Sequence, residues 1–318
     1  MTISHRFALF ACIAGTSGLL GSDPLTKHLE IDFGRDVASR DLKGLATTSD
    51  GSIVTGPTLT ELAGPAVGEL LWSLEPEAPG GQGWFVGTGP DGRIIEVTLD
   101  GNNFRKREVI RLAEPQVFAL KTLPDGSLLA GTSPTGAFYL IRNGKTVARL
   151  VLPADSVFDI VLLPETPAGA PAKAVAGAPA AQSPRVALVA TGNPGRIYKV
   201  ELDKFAASGV NAAGSVNPAA LAGKGITLFG EIRDRNVRRL AILPDGRVVA
   251  GSAPRGNVYL FPSEGGSPVI LQENRDAEVT DLLPRENGDL YASIVYASAP
   301  VEHRINRPGV PGLAPGGA

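Results

Sequence analysis

A single cysteine, Cys12, excludes an internal disulfide and any cysteine-based zinc cluster, and three histidines leave little material for a histidine-rich metal site. An excess of one charge is missing too. With 30 basic and 32 acidic residues the formal net charge is -2, which indicates neither a nucleic-acid surface nor a disordered acidic tail. The arginines Arg233, Arg235, Arg238 and Arg239 are interrupted by Asp234 and preceded by Glu231, so no basic patch is built there. No Gly-x-Ser-x-Gly elbow and no His-Glu-x-x-His string occurs, and His28 and His303 lie outside the repeated region described below. What is abundant is turn chemistry. Gly 39 and Pro 26 together make about a fifth of the chain, against a usual share of roughly 12%. With 43% hydrophobic residues over 318 positions, a sizeable core is available.

The uncharged apolar stretch Phe7 to Leu20 has fourteen residues, short of the roughly 18–20 needed for a membrane span. It follows His5 and Arg6 and precedes Gly21-Ser22-Asp23-Pro24, so residues 1–22 read as a signal peptide and export, to the periplasm or the outside, is the expectation. Leu9-Phe10-Ala11-Cys12 has the form of a lipoprotein processing box. Only Phe7 to Ala11 precede that cysteine as an apolar run, so Cys12 is assigned to the discarded peptide.

One turn recurs four times, in Gly87-Thr88-Gly89-Pro90-Asp91-Gly92, Gly131-Thr132-Ser133-Pro134-Thr135-Gly136, Ala190-Thr191-Gly192-Asn193-Pro194-Gly195 and Gly251-Ser252-Ala253-Pro254-Arg255-Gly256. Each is flanked by β-rich apolar runs, which is a hairpin signature. A five-residue pattern leads each hairpin: Leu70 to Leu74, Gln116 to Leu120, Ser156 to Ile160, Asn236 to Leu240 and Glu278 to Leu282, with Asp41 to Leu45 fitting the same columns. Its second and fifth positions are aliphatic. A fourth run follows the hairpin, as in Thr146 to Leu152, so one repeat holds four strands.

The starts Gly87, Gly131, Ala190, Gly251 and Ala292 are spaced by 44, 59, 61 and 41 residues. Four strands in about 40–45 residues is the arithmetic of a propeller blade. The two long intervals hold inserts. Residues 165–184 contain eight Ala and four Pro, and 206–225 is a second small-residue tract; both read as exposed loops outside any core. The expectation is an all-β propeller of four-stranded antiparallel blades over 27–297, with about five to six units and a Pro/Gly-rich tail at 298–318. Either Leu29 to Phe33 donates a closing strand or the ring is incomplete, as in a fragment of a longer propeller.

Leu59 to Leu62, Leu71-Trp72-Ser73-Leu74, Phe85-Val86-Gly87-Thr88-Gly89 and the Leu-Pro-Asp-Gly turns at Leu123 and Leu243 resemble exported bacterial β-propellers of the WD40-like or SMP-30/NHL-like superfamily. The resemblance covers most of residues 40–297. It implies the fold, and its scaffold motifs say almost nothing about activity. In that group chains often continue past a Pro/Ala-rich stretch into further blades, and the ending here is similar to a truncation.

Gly87-x-Gly89-x-x-Gly92 satisfies a dinucleotide fingerprint as a string, but Arg93 to Val97 reads as another strand, so no helix N-terminus is expected to hold a pyrophosphate. Gly144-Lys145-Thr146 reads likewise as a turn. Site candidates are the positions where repeats differ. The third column holds Trp72, Phe118, Phe158, Arg238 and Thr280, and the fourth holds Ser73, Ala119, Asp159, Arg239 and Asp281. In a propeller these lie on the strand lining the central channel. The aromatic residues are either inter-blade core or a ligand platform. Asp159, Arg239 and Asp281 put charge where Ala119 stands in another repeat, so they either pair in a structural ion network or line a wet channel that binds a ligand.

Two functions follow. The first is a non-catalytic binding or scaffold module that offers the propeller face, with Trp72, Phe118, Phe158, Asp159, Arg238, Arg239 and Asp281, and its two Ala/Pro loops to a protein or small-molecule ligand. It needs no cofactor, nucleic acid or membrane span. The second is a divalent-metal-dependent hydrolase of the lactonase type, in which Asp159, Asn236, Glu278 and Asp281 hold Ca²⁺ through oxygen ligands.

Overall fold

A computed structural model describes residues 43–48, 52–56, 61, 64–78, 80–164, 186–210 and 217–297. The leader 1–22, the strand Leu29 to Phe33, the insert 165–184 and the tail 298–318 lie outside the described residues. The chain divides into two units, 1–61 and 62–318. In the first, β1 (Leu45–Thr47) and β2 (Ile53–Thr55) pair antiparallel.

The second unit repeats one sheet. β3 (Leu70–Pro76), β4 (Gly83–Gly89), β5 (Arg93–Asp100) and β6 (Asn103–Arg111) form an antiparallel sheet in chain order. β7 (Gln116–Thr122), β8 (Leu128–Ser133), β9 (Ala137–Arg142) and β10 (Lys145–Val151) form the next. The third consists of β11 (Ser156–Leu162), β12 (Val186–Gly192), β13 (Arg196–Glu201) and β14 (Ile226–Glu231). The fourth consists of β15 (Asn236–Ile242), β16 (Val248–Ala253), β17 (Val258–Phe261) and β18 (Val269–Gln272), and one bridge between Gly192 and Asn236 links it to the third. A two-stranded sheet of β19 (Ala277–Pro284) and β20 (Leu290–Tyr296) follows. These are the four-stranded antiparallel blades of a β-propeller. Among the described residues no helix is long and apolar enough to cross a membrane.

Blades with a neighbour on each side are buried on both faces, so their second strand is a continuous buried run such as Leu128 to Thr132 or Val248 to Ala253, whereas Leu71 and Leu74 of β3 and Tyr291 and Val295 of β20 are exposed. Neighbouring blades meet at a glycine. A Cβ on Gly131 would lie 2.3 Å from Val157 Cγ1, and one on Gly251 would lie 2.4 Å from Val279 Cγ1. The column-two valines thus fit into gaps that only a missing side chain leaves. Phe138, Leu150, Val157, Val189 and Phe205 build the core between the second and third blades.

The recurring turn is closed by a fully buried hydroxyl. Thr88, Thr132 and Thr191 each donate to the carbonyl five residues later, Arg93, Ala137 and Arg196, at 3.0 Å, and Ser252 Oγ instead accepts from Asn257 N–H at 2.9 Å. Gly87 to Gly92 is therefore a hairpin turn between β4 and β5, and Asn143-Gly144 turns from β9 into β10 with both residues at positive φ. Neither precedes a helix. At the blade junctions acids are buried and bonded. Glu114 accepts from Tyr139 Oη, Arg149 and Thr135, while Asp234 accepts from Ser252, Asn257 and Tyr259. Burial pushes Glu114 up, but the hydrogen bonds from Tyr139 and Arg149 and the Arg149 charge outweigh it and hold the carboxyl below its ordinary value. Burial and the same carboxylate push Tyr139 up to about 12.

The described residues of the second insert are mostly exposed, but not all of them form a loop. Helix Leu202–Ala207 leads into it and helix Pro218–Ala222 lies inside it, the latter capped by Asn217 Oδ1 accepting from Ala219 N–H at 2.9 Å. Phe205 and Leu221 are buried in the core between the second and third blades. Phe205, just before the tract, and Leu221, within it, are the large apolar side chains that tie its described parts to the core.

Candidate functional site

The inner strands β3, β7, β11, β15 and β19 share one irregularity. Each skips a residue in its register with the second strand: between Leu71 and Ser73, Val117 and Ala119, Val157 and Asp159, Val237 and Arg239, and Val279 and Asp281. The skipped residues are Trp72, Phe118, Phe158, Arg238 and Thr280. Every third-column side chain thus sits on a β-bulge, which frees it from cross-strand pairing and re-aims it. This frees the third column to vary while the second stays aliphatic.

The bulged side chains touch in series. Trp72 meets Phe118 edge-on with centroids 4.9 Å apart, Phe118 stacks on Phe158 at 5.5 Å and 12°, and the Arg238 guanidinium lies 4.1 Å from the Phe158 ring centroid. The ends of the series are held by first-column residues of the next blade: Gln116 accepts from Trp72 Nε1, and Glu278 Oε1 accepts from Arg238 Nε at 2.7 Å. Trp72 remains 43% exposed, and the two phenylalanines are half-buried, so these rings are not enclosed between blades.

Behind this rim is a cavity of about 400 Å³, lined by residues of all five inner strands, among them Trp72, Phe118, Phe158, Asp159, Arg239 and Asp281. Of the seven residues singled out in the sequence, six line it. Arg238 does not; it is spent on Phe158 and Glu278. Sequence reasoning missed Glu75 and Lys121, which also line the cavity and pair at 3.0 Å. They stand two residues beyond the fourth column, so the alternation of a strand was the available signal.

The cavity's charged groups differ in how they are satisfied. Asp159 Oδ2 accepts the Leu240 N–H at 2.8 Å and Oδ1 that of Ile160 at 2.9 Å, so this carboxylate ties the third blade to the fourth. Burial pushes its carboxyl above the ordinary value, against the pull of the Leu240 N–H, the Arg239 charge, the Ile160 N–H and Lys121. Arg239 Nε donates to the Thr280 carbonyl at 2.8 Å, and Asp281 Oδ1 accepts the Leu282 N–H at 2.9 Å. Among the described residues no ion pair joins Asp159, Arg239 and Asp281, so the expected structural ion network is replaced by bonds to backbone groups.

The metal set is corrected by the same geometry. Among the described residues no three His, Cys, Asp or Glu side chains converge on a point that would hold a cation. Glu278 faces Arg238 at the rim, both Asp159 oxygens face N–H donors, and Asn236 heads β15 beside Gly192. Asp159, Asn236, Glu278 and Asp281 therefore do not fit as joint Ca²⁺ ligands, since a hard cation needs six to eight convergent oxygens.

No family model matches the chain, and no curated protein matches it in sequence. Similar solved structures include the WD40 β-propeller domain of Doa1, at 14% identity over 70% of this chain and 74% of that one, with a TM-score of 0.39. The β-propeller domain of Cps50 (Swd1) from Myceliophteria thermophila is 14% identical over 72% of this chain and 62% of that one, with a TM-score of 0.42. A protein from Lactobacillus plantarum is 9% identical over 77% and 68%, with a TM-score of 0.47. Likenesses at this level concern the fold and leave ligand and activity to the site itself.

Proposed function

We propose that the chain is an exported, non-catalytic β-propeller binding module whose ligand or partner engages the central cavity and its aromatic rim. One observation carries the reading: residues from five successive repeats, at the positions where the repeats differ, line one cavity of about 400 Å³. That size lies within the range of roughly 300–1,000 Å³ typical of small-ligand sites. A packed structural core has no need of half-exposed rings beside polar groups with spare hydrogen-bonding capacity.

The test is a panel of free amino acids, oligosaccharides and short peptides, read by thermal shift. A binder should raise Tm for the wild type and require at least about tenfold more ligand for Phe118→Ala and Arg239→Ala. Binding untouched by both variants would move the site elsewhere. Calcium-dependent lactone turnover abolished by Asp281→Ala would replace the binding module by a hydrolase. Export belongs to the proposal: expressed from Met1 in a bacterial host, the protein should be recovered from the periplasm without its first ~22 residues.

A further inference from the structure

The cavity's polar groups form a pattern that selects a class of ligand. Glu75 and Lys121 pair with each other, and Asp159 has both oxygens on backbone N–H groups. Two groups keep hydrogen-bonding atoms unused, although the Arg239 charge also acts on Asp159. Arg239 is fixed in orientation by its Nε bond to the Thr280 carbonyl at 2.8 Å, and its Nη1 and Nη2 atoms have no partner among the described residues. Asp281 uses Oδ1 on the Leu282 N–H at 2.9 Å, and Oδ2 has no partner among the described residues. Both side chains line the cavity without pairing, and both share it with Trp72, Phe118 and Phe158.

A guanidinium held through Nε presents a planar two-donor fork that matches a carboxylate, and its orientation is set before the ligand arrives. The open Asp281 oxygen in the same cavity favours a cation. A ligand carrying only a negative group would forgo the Asp281 contact, and one carrying only a positive group would forgo the Arg239 fork. The stacked pair Phe118 and Phe158, with the edge-on Trp72, offers an apolar wall for a ring or a large aliphatic group.

We propose that the cavity binds a small zwitterion with an aromatic or large apolar substituent, the chemistry of a free α-amino acid of that kind. Its carboxylate lies on the Arg239 fork, its ammonium on Asp281 Oδ2, and its side chain against the aromatic wall. The proposal rests on the reading of the cavity as a ligand site.

The experiment uses Trp84→Phe protein, so that Trp72 in the cavity is the sole tryptophan, and follows its emission and Tm during titration with L-phenylalanine, 3-phenylpropionate and phenethylamine. L-Phenylalanine is expected to give a saturable change, and the other two, each lacking one charge, to bind at least about tenfold more weakly. Arg239→Gln should erase the advantage of L-phenylalanine over phenethylamine, and Asp281→Asn its advantage over 3-phenylpropionate. Neither side chain is enclosed in the core, so both variants keep the fold, checked by circular dichroism. Equal binding of either single-charge analogue overturns the zwitterion while keeping the cavity as a site. No response to any of the three overturns the zwitterion as well, and the cavity reading then stands or falls on the broader panel with Phe118→Ala.

Discussion

The contact between Gly131 and Val157 sets how closely the second and third blades approach, and it lends itself to a double-mutant cycle. A Cβ at position 131 would meet Val157 Cγ1 at 2.3 Å, Val157 Cβ at 2.7 Å and Ala119 Cβ at 3.2 Å. The first two atoms belong to a stiff branched side chain with no exposed surface, so it has nowhere to retreat. Gly131→Ala should therefore destabilise by about 1–3 kcal/mol through overpacking. Val157→Ala removes two buried carbons at about 0.8 kcal/mol each and leaves a void, for a loss of about 2–3 kcal/mol. In the double variant the new methyl occupies part of that void. The combined loss should fall short of the sum by about 1 kcal/mol or more, measured by urea unfolding followed by circular dichroism. Additivity within about 0.5 kcal/mol would refute the blade-to-blade contact. Gly251 and Val279, at 2.4 Å, provide the same cycle between the fourth blade and β19.

Other perturbations have equally direct outcomes. Glu114→Ala takes the acceptor from the buried Tyr139 hydroxyl and the carboxylate from Arg149, and should cost about 3 kcal/mol or more in a thermal melt at neutral pH. Because the Glu114 carboxyl is held below its ordinary value, its stabilisation is complete above the unfolded value of about 4.3 and is lost as pH falls through the folded one. The variant should lack that acid-induced drop. Asp159 behaves in the opposite sense. Burial raises its carboxyl, so its contribution is fully present below the unfolded value of about 3.9 and is lost as pH rises through the folded one. Asp159→Asn, followed by Tm from pH 4 to 7, should gain on the wild type as pH rises. Leu221→Ala should cost about 2–5 kcal/mol, although its neighbours in sequence look like linker; a change within error would return the insert to the surface.

The repeat was legible because its signals are local. A Thr or Ser before the turn and an aliphatic residue at columns two and five suffice to place the strands of the repeats that begin at Leu70, Gln116, Ser156 and Asn236, whereas Lys43-Gly44, in the same columns, is a turn and the repeat from Glu278 shows two strands among the described residues. The candidate residues were legible for a related reason. In a repeat, a departure such as Asp159 or Arg239 at a position occupied by Ala119 is visible without coordinates.

Chain order alone left three matters undecided, and tertiary structure settled them. A bulge is a property of pairing between two strands, so the sequence of β7 cannot say that Phe118 is the residue left out. Whether Asp159 pairs with Arg239 or with the N–H of Leu240, 81 residues away, depends on which blade edges meet around the channel. The burial of Phe205 and Leu221 depends on a gap between two blades that neither helix encodes. Strand periodicity is written in neighbouring residues; the partner of a buried charge or a lone leucine is chosen only when distant segments close on one another.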